Sequence, residues 1–128
     1  MDLKEIVSIT GKPGLYKVVA RSQRGLIAEA LDEKKTKLPI NASQQVALLE
    51  EITIYTENDE NLPLKDVFEN IKKYEENNSL PDPKADTLKL KEFFKEVAPN
   101  YDTERVYTSD MKKVIKWYEL LKANNFLS

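Results

Sequence analysis

The stretch ITGKPGLYKVVARSQRGLIAEALDEKKTKLPI fills residues 9–40, and its reading decides the fold. Two apolar runs, LYKVVARS (15–22) and LIAEALD (26–32), are joined by QRG (23–25). Gly25 at the end of so short a connection can take the positive φ that a hairpin turn demands. EKK (33–35) then turns the chain into TKLPI (36–40). In an extended chain, alternate side chains share a face. Tyr16, Val18 and Ala20 therefore read as one face of the first strand. Leu26, Ala28 and Ala30 form one face of the second, and Thr36, Leu38 and Ile40 one face of the third. Leu15, Val19, Ile27 and Leu31 make the opposite faces apolar too, which predicts a small barrel partly covered by another segment. Pro39 donates no hydrogen bond, so the third strand reads as an edge or as ending there.

The flanks extend this pattern. LKEIVSI (3–9) fits a helical turn or a strand, and GKPG (11–14) reads as a turn. A phosphate-binding loop would need a longer glycine-rich nest, Lys followed by Ser or Thr, and then a helix. Here Pro13 follows Lys12 and a strand follows the turn. NASQQVALLEE (41–51) reads as a helical turn or short helix capped by Asn41 or Ser43, and ITIYT (52–56) as a closing β-branched strand. Four or five short strands with a helical turn before the last one predict an SH3-like small β-barrel over residues 1–56, a comparison of fold that carries no function.

Beyond TENDENLP (56–63) the periodicity changes from two to about three and a half residues. Leu64, Val67, Phe68, Ile71 and Tyr74 form one stripe, predicting a helix over about 63–78, with Pro63 suited to its first turn. Pro81 and Pro83 break the chain. Leu90, Phe93, Phe94 and Val97 predict a second helix over about 86–98, capped by Asp86 or Thr87. Met111, Val114, Ile115, Tyr118 and Leu121, widened by Trp117 and Leu120, predict a third over about 109–125. Ser109 or Asp110 would start it, and Asn124 or Asn125 would stop it. The expected whole is an α+β chain in which three helices over residues 57–128 pack on the barrel, because a unit of about 56 residues is marginal alone.

Composition narrows the chemistry. The chain has 128 residues, no Cys and no His, so disulfides, thiolate or imidazole metal sites and histidine-based catalysis are excluded. The net charge of −2 gives no global attraction to nucleic acid. No apolar stretch approaches the roughly 18 residues of a membrane helix, and the first residues lack a signal-peptide core. The expectation is a soluble, cytoplasmic protein that binds no cofactor and is not an enzyme.

Two clusters remain. Arg21, Arg24, Lys35 and Lys37 gather at the hairpin turns and, with Tyr16 and Tyr55, are the candidate partner-binding residues. A basic surface with aromatics suits single-stranded nucleic acid, but Glu29, Asp32 and Glu33 are interleaved and dilute its field. Tyr101, Arg105, Tyr107 and Trp117 suit a peptide groove, since Tyr, Trp and Arg favour contact surfaces. The plainer reading of that second cluster is a helix corner in which Arg105 pairs with Asp102 or Asp110. Paired carboxylates are abundant but alternate with Lys as on a solvated helix face.

Residues 3–40, with ALLEEITIYT (47–56) and SDMKKVIKWYELL (109–121), resemble a family of uncharacterised proteins from the Bacteroidetes. The resemblance implies a bacterial cytoplasmic protein and transfers no catalytic or binding residue. The leading expectation is therefore a non-enzymatic module that binds a protein or peptide. The alternative is a nucleic-acid-binding protein that uses the basic hairpins.

Overall fold

The structure is a computed structural model that describes residues 3–127 except 13, 24, 42–44 and 59. It forms two compact units. The first comprises Met1–Glu51 with Glu119–Ser128, the second Ile52–Tyr118.

The first unit is built on five antiparallel strands, β1 (Ile6–Ile9), β2 (Tyr16–Ser22), β3 (Gly25–Ala30), β4 (Lys37–Ile40) and β5 (Val46–Leu48), in the order β4-β3-β2-β1-β5. The β2–β3 hairpin lies where the alternation placed it, and LKEIVSI resolves into a turn followed by β1. Val7, Ile9, Tyr16, Val18, Ala28, Ala30 and Ile40 form the core on one face of the sheet. Ala20 leaves the face it was expected to share with Tyr16 and Val18. Val18 pairs with Ala28, but Ala20 pairs with Ile27, so Val19 is an extra residue, a β-bulge. The bulge resets the alternation. Ala20 sits beside outward-facing Ile27, and Arg21 lies opposite Leu26.

The other face is covered in part, as its apolar residues required. Ile6 pairs with Lys17 on that face and is fully buried. The Lys17 ammonium lies 5.8 Å from the centre of the Phe126 ring, which places the C-terminal segment there. That segment is aimed by the end of its helix. Asn125 takes φ +64, its amide donates to the Lys122 carbonyl, and the Phe126 amide donates to the Leu121 carbonyl. This is a Schellman stop, at the Asn residues expected to end the helix.

The SH3-like closed barrel is not what the described ladders form. β4 and β5 stand at opposite ends of an open sheet. The strand expected to close the region is β6 (Thr53–Ile54), which pairs instead with β7 (Leu62–Pro63) as a separate two-stranded sheet. Nor is NASQQVALLEE helical across its described part. Val46–Leu48 pairs with β1, and only Leu49–Glu51 winds, as one 3-10 turn. Pairing with β1 overrides the helical pattern, as tertiary context commonly does for short segments. Ser43, the alternative cap, lies outside the described residues.

The second unit holds β6, β7, α1 (Leu64–Glu75), α2 (Thr87–Val97) and most of α3 (Thr108–Ala123). The helical stripes are buried as read, including Leu64, Val67, Phe68 and Ile71 on α1 and Leu90, Phe93, Phe94 and Val97 on α2. Asp86 caps α2, accepting from the Lys89 amide at 2.9 Å. At the start of α3, Asp110 reaches back to accept from the Tyr107 amide at 2.9 Å. Edge-on ring contacts, Tyr74 with Phe93 and Phe94 with Tyr101, join α1, α2 and the segment after α2. Asn70 donates to the Val97 carbonyl, satisfying a group at the end of α2. Among the described residues, no helix is long and apolar enough to cross a membrane.

Candidate functional site

The candidate partner-binding residues fall in different parts of the chain. Tyr16 is only 7% exposed and belongs to the core of the first unit, so its ring is not offered to a ligand. Arg21 lies 3.7 Å from the Glu5 carboxylate. Lys35 occupies a turn with φ +48, its amide donating to Asp32 Oδ1 at 2.8 Å. Lys37 is exposed on the edge strand β4 opposite Glu29, which also faces Lys17 from β2. Carboxylates therefore sit among these cations, as the interleaved sequence required. Arg24 lies outside the described residues. Tyr55 belongs to the second unit and is 48% exposed.

Around Tyr55 the second unit forms a hollow of about 210 Å³ between β6 and α3. Its floor is apolar, from Ile52, Ile54, Leu64, Val106, Val114 and Trp117. Its polar groups are Arg105, Asp110 and Lys113. Each part is placed by a local cause. The amphipathic stripe of α3 turns Val114 and Trp117 inward. Asp102 folds the preceding loop into a tight turn. Its Oδ1 accepts from the Glu104 and Arg105 amides, and its carbonyl accepts from the Arg105 and Val106 amides. That turn sets Arg105 with its guanidinium carbon 5.4 Å from the centre of the Tyr55 ring. Such a stack contributes ~0.5–1 kcal/mol where exposed. Arg105 also lies 3.6 Å from Asp102, a solvent-screened pair that adds little.

The Tyr55–Arg105 stack is a shared wall. On its far side is a polar hollow of about 350 Å³ that includes Thr56, Glu57, Asn58 and Asp102. On the near side, Lys113 holds its ammonium 5.9 Å from the centre of the Trp117 ring. The structure thus brings together Tyr55, Arg105 and Trp117, drawn from two clusters that the sequence kept apart. Tyr101 is excluded, because it is buried against Phe94 and burial raises the pKa of its hydroxyl. Tyr107 is 63% exposed but does not line the hollow. Lys113 and Thr53 were missed. The α3 stripe alone would have flanked Trp117 with Lys113, whereas Thr53 had no signal without the strand pairing.

A different hollow, about 450 Å³, lies beside α1 and α2 and includes Tyr74, Asn78, Lys89, Glu92 and Glu96. Buried nearby in the same unit, Tyr118 donates to Glu75 Oε1 at 2.7 Å. Burial first, and then the Glu75 carboxylate, raises the Tyr118 pKa. Among the described residues, no three acidic side chains group as a metal site.

Comparison with known proteins agrees with this reading of an uncharacterised family. No curated protein matches the chain. A solution NMR structure from Bacteroides vulgatus, a structural-genomics target, is 41% identical to it. The match covers 99% of this chain and 90% of that one, with a TM-score of 0.74. Residues 3–49 match a domain of unknown function, DUF5606. Residues 52–121, more than half of the chain and the part that carries the groove, match the domain of unknown function DUF6852, and the chain belongs to that family.

Proposed function

We propose that the protein is a non-enzymatic interaction module that binds a protein or peptide partner through the β6–α3 groove. The observation that carries this reading is the groove itself. It is an open apolar hollow walled by a half-exposed Tyr under an Arg, with Trp117 at its base. Aromatic and Arg anchors around a desolvated apolar centre are what dominate binding energy at protein interfaces. The absence of Cys and His from the sequence removes thiolate nucleophiles and the commonest general base, which favours binding over catalysis.

The test uses the full chain as bait in native cytosol of the source bacterium. A stoichiometric partner is expected whose capture falls at least about fivefold with Tyr55→Ala or Arg105→Ala. Val19→Ala, at an exposed position in the first unit, should leave capture unchanged. Partners lost equally with all three variants would refute the groove. So would retention of the chain on single-stranded nucleic acid at ~50 mM salt with loss by ~200 mM, the behaviour of the competing basic-hairpin reading.

A further inference from the structure

The edge of β6 that faces the groove carries unspent hydrogen-bonding groups. The Leu64 amide donates to the Ile52 carbonyl, and Thr53 stands opposite Pro63. In an antiparallel ladder, hydrogen bonds alternate from one side of a strand to the other. Ile52 and Ile54 therefore bond toward β7, while the N–H and C=O of Thr53 point the opposite way, into the groove. The same edge is already used one step on. The Asp102 amide donates to the Tyr55 carbonyl, and the Glu57 amide donates to the Asn100 carbonyl. At Asp102 the chain turns away, and its carbonyl is taken by the Arg105 and Val106 amides. The ladder that began at Thr56 and Tyr101 thus stops at Tyr55, two residues short of Thr53. Among the described residues, the Thr53 main chain meets no partner on that side.

An exposed strand edge beside an apolar groove is what β-strand addition requires. Main-chain bonds supply affinity, and side-chain pockets supply choice. The rim adds a charge preference. Lys113 has no carboxylate within ion-pair reach among the described residues, and Arg105 is mostly exposed. The nearby carboxylates of Asp102 and Asp110 are held by main-chain amides. Resting on the interaction-module reading above, we infer that the groove takes an extended peptide segment of the partner. The segment adds as a strand to the Thr53 edge, with an apolar side chain over Val114 and Trp117 and an acidic residue beside Lys113 and Arg105.

The test starts from a library of random heptapeptides displayed on phage and selected on the full chain. The enriched sequences should alternate apolar and polar residues and carry Asp or Glu. The best of them, made as a free peptide, should shift the amide resonances of Thr53 and Tyr55 and the Trp117 indole N–H. N-methylation scanned along the peptide should weaken binding about tenfold at the amide that meets Thr53, with little effect at its two neighbours, whose N–H groups point the other way. Lys113→Glu should weaken the acidic peptide severalfold. A selected peptide that moves the groove resonances but shows no period-two response overturns strand addition and leaves the interaction module standing. Selected peptides that move resonances only elsewhere, or no enrichment at all, overturn both.

Discussion

Gly25→Ala is the sharpest perturbation of the first unit. Gly25 has φ +138, a conformation that L side chains rarely adopt, and holding another residue there costs ~1–3 kcal/mol. A Cβ built on it would lie 2.2 Å from the Ile40 carbonyl oxygen and 3.3 Å from the carbonyl carbon. An ordinary carbon–oxygen contact is about 3.3 Å, so the end of β4 would have to retreat by roughly 1 Å. The obstruction is backbone, held by the Leu26–Ile40 register, and cannot rotate aside as a side chain would. Overpacking of this kind adds ~1–3 kcal/mol. The expected loss is roughly 3–5 kcal/mol, a fall in melting temperature of about 10–20 °C if the chain melts as one unit. Gly11→Ala is the internal control. Its φ is +84, but no heavy atom lies within 4 Å of the added carbon, so only a backbone term of ~1–2 kcal/mol applies. Urea and thermal melts should follow both far-UV circular dichroism and the fluorescence of Trp117, the single Trp, which reports on the second unit. If Gly25→Ala destabilises no more than Gly11→Ala, the close approach of β3 to β4 is wrong as described.

Two further outcomes follow from single contacts. Asn125→Ala puts at φ +64 a residue without the short polar side chain that eases the left-handed conformation and should cost ~1 kcal/mol in melts, whereas Asn125→Gly should be neutral or slightly stabilising. Tyr118→Phe removes the hydroxyl that donates to Glu75 and should cost ~1–3 kcal/mol at neutral pH. The folded pKa of Tyr118 is raised, so its contribution is fully present below the unfolded value of about 10. It is lost as pH rises beyond that value, where the unfolded chain releases its proton first. Stability of the native chain should therefore fall above about pH 10 more steeply than that of Tyr118→Phe, and equal slopes would refute the assignment.

The parts of the fold that were legible in the sequence are those set by local periodicity. The stripes of α1, α2 and α3, the Asp86 cap, the Asn stop and the β2–β3 hairpin each follow from residues close together in the chain. What was not legible depends on a partner strand distant in sequence. Nothing in VALLEE announces β1 as a neighbour, and nothing in ITIYT announces LP as one. A closed barrel needs its last strand in the same sheet as the others, and β6 pairs outside the five-stranded sheet. The bulge at Val19 is a related case. YKVVARS alternates well enough to hide one extra residue, and only the register reveals that Ala20 and Arg21 have exchanged faces.

That distinction also explains why the candidate site moved. Cationic and aromatic residues at hairpin turns are conspicuous in a sequence, but Tyr16 spends its ring in the core and Arg21 lies beside Glu5. The groove residues look ordinary one at a time. Thr53 is a β-branched residue in a strand, Lys113 one of many lysines, and Trp117 a residue on a helical stripe. They gain meaning from two long-range facts. The first is that β6 lies beside α3 at Val114 and Trp117. The second is that a proline opposite Thr53 fixes which way its main chain points. Pro63 has no N–H to give, so the position facing it can only be a non-bonded pair of the β6–β7 ladder. A residue chosen for what it cannot donate to one neighbour thereby leaves Thr53 free to bond on its other side.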